Sequence, residues 1–127
     1  MNLDFKYTAD GLIPAIVREA IAPGRVLMMG WMNRQSLAKT LETGLLHYWS
    51  RSRNQLWLKG ETSGNTQRLI RWFTDCDRDS LLFEVEQNSG ACHTGYRTCF
   101  FQELDSSGEP KPVFEERLFD PAKVYSK

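Results

Sequence analysis

The sequence predicts an α+β domain dominated by strands, with a curved sheet or pseudo-barrel capped by one α-helix. Three observations predict it. Leu81, Phe83 and Val85 alternate with polar Glu84 and Glu86, the period of a half-buried strand. Turn-forming clusters recur between short apolar runs, at Ala22-Pro23-Gly24, at 59–65 and at 105–110. Only one window, from Asn33 to Gly44, carries both helix start and helix stop signals.

The elements follow in order. Residues 12–20 read as a strand and 25–31 as its hairpin partner, with the Ala22-Pro23-Gly24 turn between them. Asn33 is a natural N-cap, 34–43 fits a helix of about three turns, and Leu37 and Leu41 share its apolar face. Gly44 supplies the left-handed stop. Residues 45–50 and the short run 56–58 read as strands, followed by the polar loop 59–65. Residues 67–74 form a strand that runs into an aspartate cluster, and 81–87 form the alternating strand. A loop at 88–95 leads to a further expected strand at 96–104, and the polar tail from Lys111 has room for an edge strand at 113–119.

With 127 residues, a single domain spanning 1–127 is expected, with a polar C-terminal extension from about 105. Hydrophobic content of 41% with 12% aromatics is that of a folded globule and excludes a disordered chain. No run approaches the ~20 apolar residues that cross a bilayer, so no membrane partner is expected. The opening Met1-Asn2-Leu3-Asp4-Phe5-Lys6 lacks the basic start and apolar run of a secretory signal, and cytoplasm is the expected location. There, three cysteines are thiols or metal ligands more readily than a disulfide framework. Net charge is zero, yet residues 1–71 carry +5 and residues 72–127 carry −5. That split suits an anionic ligand on one half and cations on the other. It does not suit general nucleic-acid binding, which needs a basic domain.

Asp75-Cys76-Asp77-Arg78-Asp79 is the most informative stretch. On an extended strand the three carboxylates would point to one side and Cys76 to the other. Oxygen-only ligands suit a hard cation such as magnesium. The plain alternative is a solvated turn, and the EF-hand pattern is not met. Cys76 joins Cys92 and Cys99, the only other cysteines, in a set of thiols that suits zinc. There is no Cys-x-x-Cys pair, and three thiolates leave one vertex open to water, whose pKa zinc lowers to near 7. His93 fits either as a fourth ligand that closes the site or as an acid/base group; the second role is preferred, because imidazole titrates near neutrality.

Arg51, Ser52, Arg53, Lys59, Thr62 and Ser63, interspersed with glycines, are the expected phosphate contacts. They do not form a P-loop, and an ordinary hairpin with solvated arginines is the plain alternative. His47 reads as a structural histidine, and Trp49 and Trp57 as core or cleft walls.

At these residues the sequence strongly resembles the phosphoribosyl-AMP cyclohydrolase family of histidine biosynthesis. The matching stretches are His47-Tyr48-Trp49-Ser50-Arg51-Ser52-Arg53, Leu56-Trp57-Leu58-Lys59-Gly60-Glu61-Thr62-Ser63-Gly64, Asp75-Cys76-Asp77, and Ala91-Cys92-His93-Thr94-Gly95 with Cys99. The resemblance implies hydrolytic opening of the N1–C6 bond of N1-(5-phosphoribosyl)-AMP, the third step of that pathway, by a zinc-bound hydroxide. It implies a compact β-rich, barrel-like fold in an intertwined homodimer. It maps zinc onto Cys76, Cys92 and Cys99, drawn from both subunits, and magnesium onto Asp75, Asp77 and Asp79. One position departs from the family, which usually has glycine where this chain has Arg78. Two other readings remain open to the residues alone. A base deaminase would need His-x-Glu with Pro-Cys-x-x-Cys, which is absent. A metal-stabilised binding module would need a closed coordination sphere, with His93 as the fourth ligand.

Overall fold

The computed structural model describes residues 2–125; Met1 and residues 126–127, the ends of the expected domain, lie outside the described residues. In chain order the elements are β1 (Leu12–Glu19), β2 (Val26–Asn33), α1 (Arg34–Thr43), β3 (His47–Ser50), β4 (Gln55–Leu58), β5 (Gln67–Thr74), β6 (Leu81–Gln87) and α2 (Pro121–Tyr125). The molecule is strand-rich α+β. A four-stranded sheet has the order β2-β1-β6-β5, and β3 pairs with β4 in a separate hairpin. Every pair is antiparallel except β1 with β6.

Both edges of the large sheet meet the β3–β4 hairpin. At one edge Leu45 bridges Arg68, and Leu46 N donates to Gln67 O at 3.0 Å. At the other, Gly30 of β2 lies under the ring of Tyr48: a Cβ added there would sit 2.6 Å from Cδ1 of that tyrosine. Tyr48 is fully buried and has no room to retreat. Gly30→Ala is therefore expected to cost about 1–3 kcal/mol as an overpacked core, read as a lower urea midpoint in chemical denaturation.

The core follows from strand alternation. Ile13, Ala15 and Val17 of β1 and Leu81, Phe83 and Val85 of β6 point inward, and meet Leu27, Met32, Leu37, Leu46 and Tyr48. Burial holds the Tyr48 hydroxyl in its neutral form, with its pKa well above the ordinary tyrosine value. It donates to Gln67 Oε1 at 2.6 Å, and Gln67 Nε2 donates to Gln87 Oε1 at 2.8 Å. This buried polar chain fixes β3 against the ends of β5 and β6, where the site is built.

The helix matches its expected limits because its signals are local. Asn33 Oδ1 accepts from Ser36 N at 2.8 Å, Ser36 Oγ accepts from Asn33 N at 2.9 Å, and Gly44 adopts φ +77°. Three expectations fail. Residues 96–104 do not form a strand; they hook onto the start of β2, with Cys99 N donating to Leu27 O at 2.7 Å and Thr98 Oγ1 to Val26 O at 2.7 Å. Residues 113–119 form no edge strand either, because their contacts are single hydrogen bonds and side-chain clamps and not a ladder. A second short helix, α2, was not expected, although Asp120-Pro121 is a cap followed by a first-turn proline and Asp120 Oδ1 accepts from Ala122 N at 2.9 Å.

Candidate active site

Cys92 and Cys99 lie in the irregular segment after β6. Three backbone bonds shape the loop between them: Ala91 N to Arg97 O at 3.1 Å, Cys92 N to Tyr96 O at 3.2 Å, and Gly95 N to Cys92 O at 3.0 Å. Together with the hook of Cys99 onto β2 they make the two thiols neighbours. Burial first, and then the neighbouring Cys92, push the Cys99 thiol up to about 11. The neighbouring Cys92 opposes ionisation of Cys99, and a divalent cation between them would reverse that. Lys59 is the built-in counter-charge. Burial pulls its pKa down, and Cys99 and Cys92 oppose that pull. Its Nζ donates to Ala91 O at 2.5 Å, so it also ties the loop to the end of β4.

Cys76 is elsewhere. It sits in the turn from β5 to β6, whereas Cys92 follows the far end of β6. The seven residues of β6 span about 20 Å. One chain therefore does not gather the three sulfurs, and the aspartates form the one candidate metal cluster among the described residues.

That cluster is real but its geometry is not the expected one. An extended strand would leave Asp75 and Asp79 about 13 Å apart. Instead the segment is a turn, and ligand oxygens of Asp75, Asp77 and Asp79 all lie within 4.8 Å of one another. Arg78 makes the turn possible by adopting φ +60°, the left-handed region where glycine is at ease. The arginine points away from the carboxylates. Its guanidinium stacks 4.3 Å from the Phe5 ring centroid, and its Nε donates to Asp4 O at 3.0 Å, so it clasps the N-terminal segment. Asp75 is held well below the usual carboxylate range, chiefly by the Ser80 hydroxyl at 2.7 Å. Asp79 is pushed up to about 6, first by its hydrogen bond with Asp75 and next by Asp77.

The polar residues of the β3–β4 region divide between faces. Arg53, Lys59, Thr62, Ser63 and His93 line one cleft of about 230 Å³, together with Trp57 and Tyr125. Gly60 permits this loop: it has φ +87°, and a Cβ would fall 2.5 Å from the Asn65 carbonyl carbon. Ser52 lies beside the cleft, in a hollow it shares with Ser50, Arg53 and Trp57. Arg51 faces elsewhere, with its guanidinium 4.8 Å from the Trp31 ring centroid. His47 is buried, and its Nδ1 is 2.8 Å from Leu45 O, so its role is structural.

Comparison with known proteins places the chain in a family. A family model described as phosphoribosyl-AMP cyclohydrolase matches residues 28–101. A phosphoribosyl-AMP cyclohydrolase from Thioalkalivibrio sulfidiphilus is 54% identical over 94% of this chain and 89% of its own length. One from Methanococcoides burtonii is 48% identical over 98% of this chain and 99% of its own, and one from Chlorobium chlorochromatii 50% over 96% and 88%. The chain belongs to the phosphoribosyl-AMP cyclohydrolase family. It is a hydrolase.

For a cyclohydrolase, the donor atoms fit the two metals. Cys92 and Cys99 offer adjoining soft sulfurs with a cation beside them, and the aspartate turn offers three convergent hard oxygens. Among the described residues no helix is long and apolar enough to cross a membrane. Sequence reasoning missed two supports of the cyclohydrolase site. Arg97, between the cysteines, pairs with Glu19 at 2.5 Å, and Glu19 is 5% exposed at the end of β1. An acid at an inward position of an apolar strand was the available signal. Tyr125 had none, because it reaches the cleft from the far end of the chain.

Proposed function

We propose that this cyclohydrolase opens the purine ring of N1-(5-phosphoribosyl)-AMP at the N1–C6 bond, as the third step of histidine biosynthesis. The observation that carries the reading is the cleft itself. It gathers two cations, two hydroxyls and an imidazole beside a pair of adjoining thiols. A phosphorylated nucleotide needs those groups, and a closed structural metal site does not.

Cys92 and Cys99, with Cys76 of the partner subunit, would hold zinc, which would supply the acidity that makes water a nucleophile at neutral pH. Asp75, Asp77 and Asp79 would hold magnesium, which would supply positive charge for the substrate phosphates. The remaining work falls to the chain. Arg53, Thr62 and Ser63 hold a phosphate, with Ser52 at the rim. Lys59 places a positive charge beside the thiols and secures their loop to the cleft floor. The N1 substituent makes the ring cationic, so N1 leaves as C6 is attacked. His93, exposed and directly after Cys92, delivers the proton that N1 takes up.

A homodimer follows from the same reading, since one chain separates Cys76 from the other two thiols. Support comes from the outer face of the large sheet. Met29, Ile16, Leu82 and Phe73 stand opposite one another across its four strands, and Met29, Ile16 and Phe73 are exposed. That apolar row ends near the Cys76 turn and offers a surface for a second copy. The cytoplasm, where free thiols persist, is the proposed location.

Ring opening by purified protein, followed in the ultraviolet with and without a chelator, tests the reading. Turnover is expected to vanish on chelation and to return with zinc. Full turnover by metal-free protein would refute it. His93→Ala is expected to lower turnover by ~10²–10⁴ and to leave zinc content unchanged; an unaltered rate would assign proton transfer to another group.

A further inference from the structure

The C-terminal segment is not peripheral. Glu115 clamps Arg25 through two hydrogen bonds, 2.6 Å to Nη1 and 3.1 Å to Nη2. Arg117 Nε donates to Thr94 O at 2.8 Å, and its guanidinium covers the Tyr96 ring at 5.2 Å. Leu118 N donates to Gly95 O at 2.7 Å. The strap lies so close to the cysteine loop that only glycine fits beneath it. A Cβ on Gly95 would fall 2.3 Å from Phe119 O, and Gly95 has φ +100°. From there Asp120 starts α2, and α2 carries Tyr125 into the cleft, with its ring 6.4 Å from that of Phe119.

Two aromatic side chains line that cleft, Trp57 from β4 and Tyr125 from α2. The rest of the lining is cationic or hydroxylated, apart from His93, Leu58, Gly60 and Glu61. A ligand with a phosphate and a planar base would place its charge on Arg53, Thr62 and Ser63. Its base would then lie against the rings, where burial and stacking stabilise it.

We propose that Tyr125 is a substrate-binding residue of this chain, a wall of the cleft on which the purine ring stacks, and that Arg117 is a positioning residue that holds the strap so that Tyr125 reaches it. The proposal rests on the nucleotide reading above. It adds a contact from a segment that lies beyond the residues the family model matches.

The test uses AMP, which carries the purine and a phosphate but lacks the N1 substituent that makes the ring cationic and open to attack, so binding is measured apart from turnover. AMP is titrated by calorimetry into the zinc-loaded wild type and into Tyr125→Phe, Tyr125→Ala, Arg117→Ala and Arg117→Lys proteins. Tyr125→Ala is expected to weaken AMP roughly ten-fold or more, with Tyr125→Phe within about two-fold of the wild type, since the ring and not the hydroxyl makes the stack. Arg117→Ala is expected to weaken AMP as Tyr125→Ala does, and Arg117→Lys to restore part of the loss. In steady-state assays with the phosphoribosyl substrate, Tyr125→Ala should raise KM and leave kcat within about two-fold. Equal AMP affinity in wild type, Phe and Ala proteins would overturn the proposal, and so would equal weakening by Phe and Ala. Tyr125 is 40% exposed, so truncating it leaves the core intact, and an unchanged thermal midpoint confirms that. Wild-type protein that binds AMP but opens no ring would sink the proposed reaction and leave the Tyr125 contact standing.

Discussion

Cys92→Ser is expected to remove bound zinc and to lower turnover at least ~10³-fold, because water would then react with its pKa near 15.7 and not near 7. Serine is nearly isosteric with cysteine, so the change removes a soft ligand without opening a cavity. The loop around position 92 is held by backbone bonds at Ala91, Cys92 and Gly95 that the substitution leaves in place. Cys92 Sγ also lies 2.8 Å from Thr94 Oγ1, a contact a hydroxyl can keep. Circular dichroism should therefore match the wild type while elemental analysis finds the metal gone. Wild-type turnover by such a zinc-free protein would leave the thiols without a catalytic role.

Where the determining interactions are local, the sequence was enough. The helix from Arg34 to Thr43 is bounded by its own cap and its own glycine, β6 keeps its expected limits because apolar and polar residues alternate along it, and β5 keeps its expected limits too. The chain from 96 to 104 misled because Tyr96, Phe100 and Phe101 have strand propensity. The hooks of Thr98 and Cys99 onto β2 override it, and they join residues about seventy positions apart. At the site, residue types were legible and directions were not. The aspartates converge through a turn that depends on one left-handed residue, Arg78. Arg51 and Arg53 are two positions apart, yet the first stacks on Trp31 and the second enters the cleft. Lys59, read as a phosphate ligand, is also bonded to the backbone of the cysteine loop. Such outcomes depend on which elements the fold brings side by side, and a single sequence carries no record of that.

Cys76→Ser and Cys92→Ser proteins, each inactive alone, are expected to recover activity when unfolded and refolded together. Cys92 and Cys99 are neighbours within one chain, whereas Cys76 lies at the opposite end of the β5–β6 hairpin and is exposed. A three-thiol site then takes its pair from one subunit and its single sulfur from the other. In a mixed dimer, one site combines both substitutions and is lost. The other joins the intact Cys92–Cys99 pair of the first protein to the intact Cys76 of the second. With random pairing in a two-fold dimer, half the molecules are mixed and each has one of two sites, so about a quarter of wild-type activity should return. Zinc content should rise in the same proportion. Cys92→Ser refolded with Cys99→Ser supplies the contrast, because neither chain then holds an intact pair and no activity should return. Recovery in both mixtures, or in neither, would show that the sulfurs are not shared between subunits in this way.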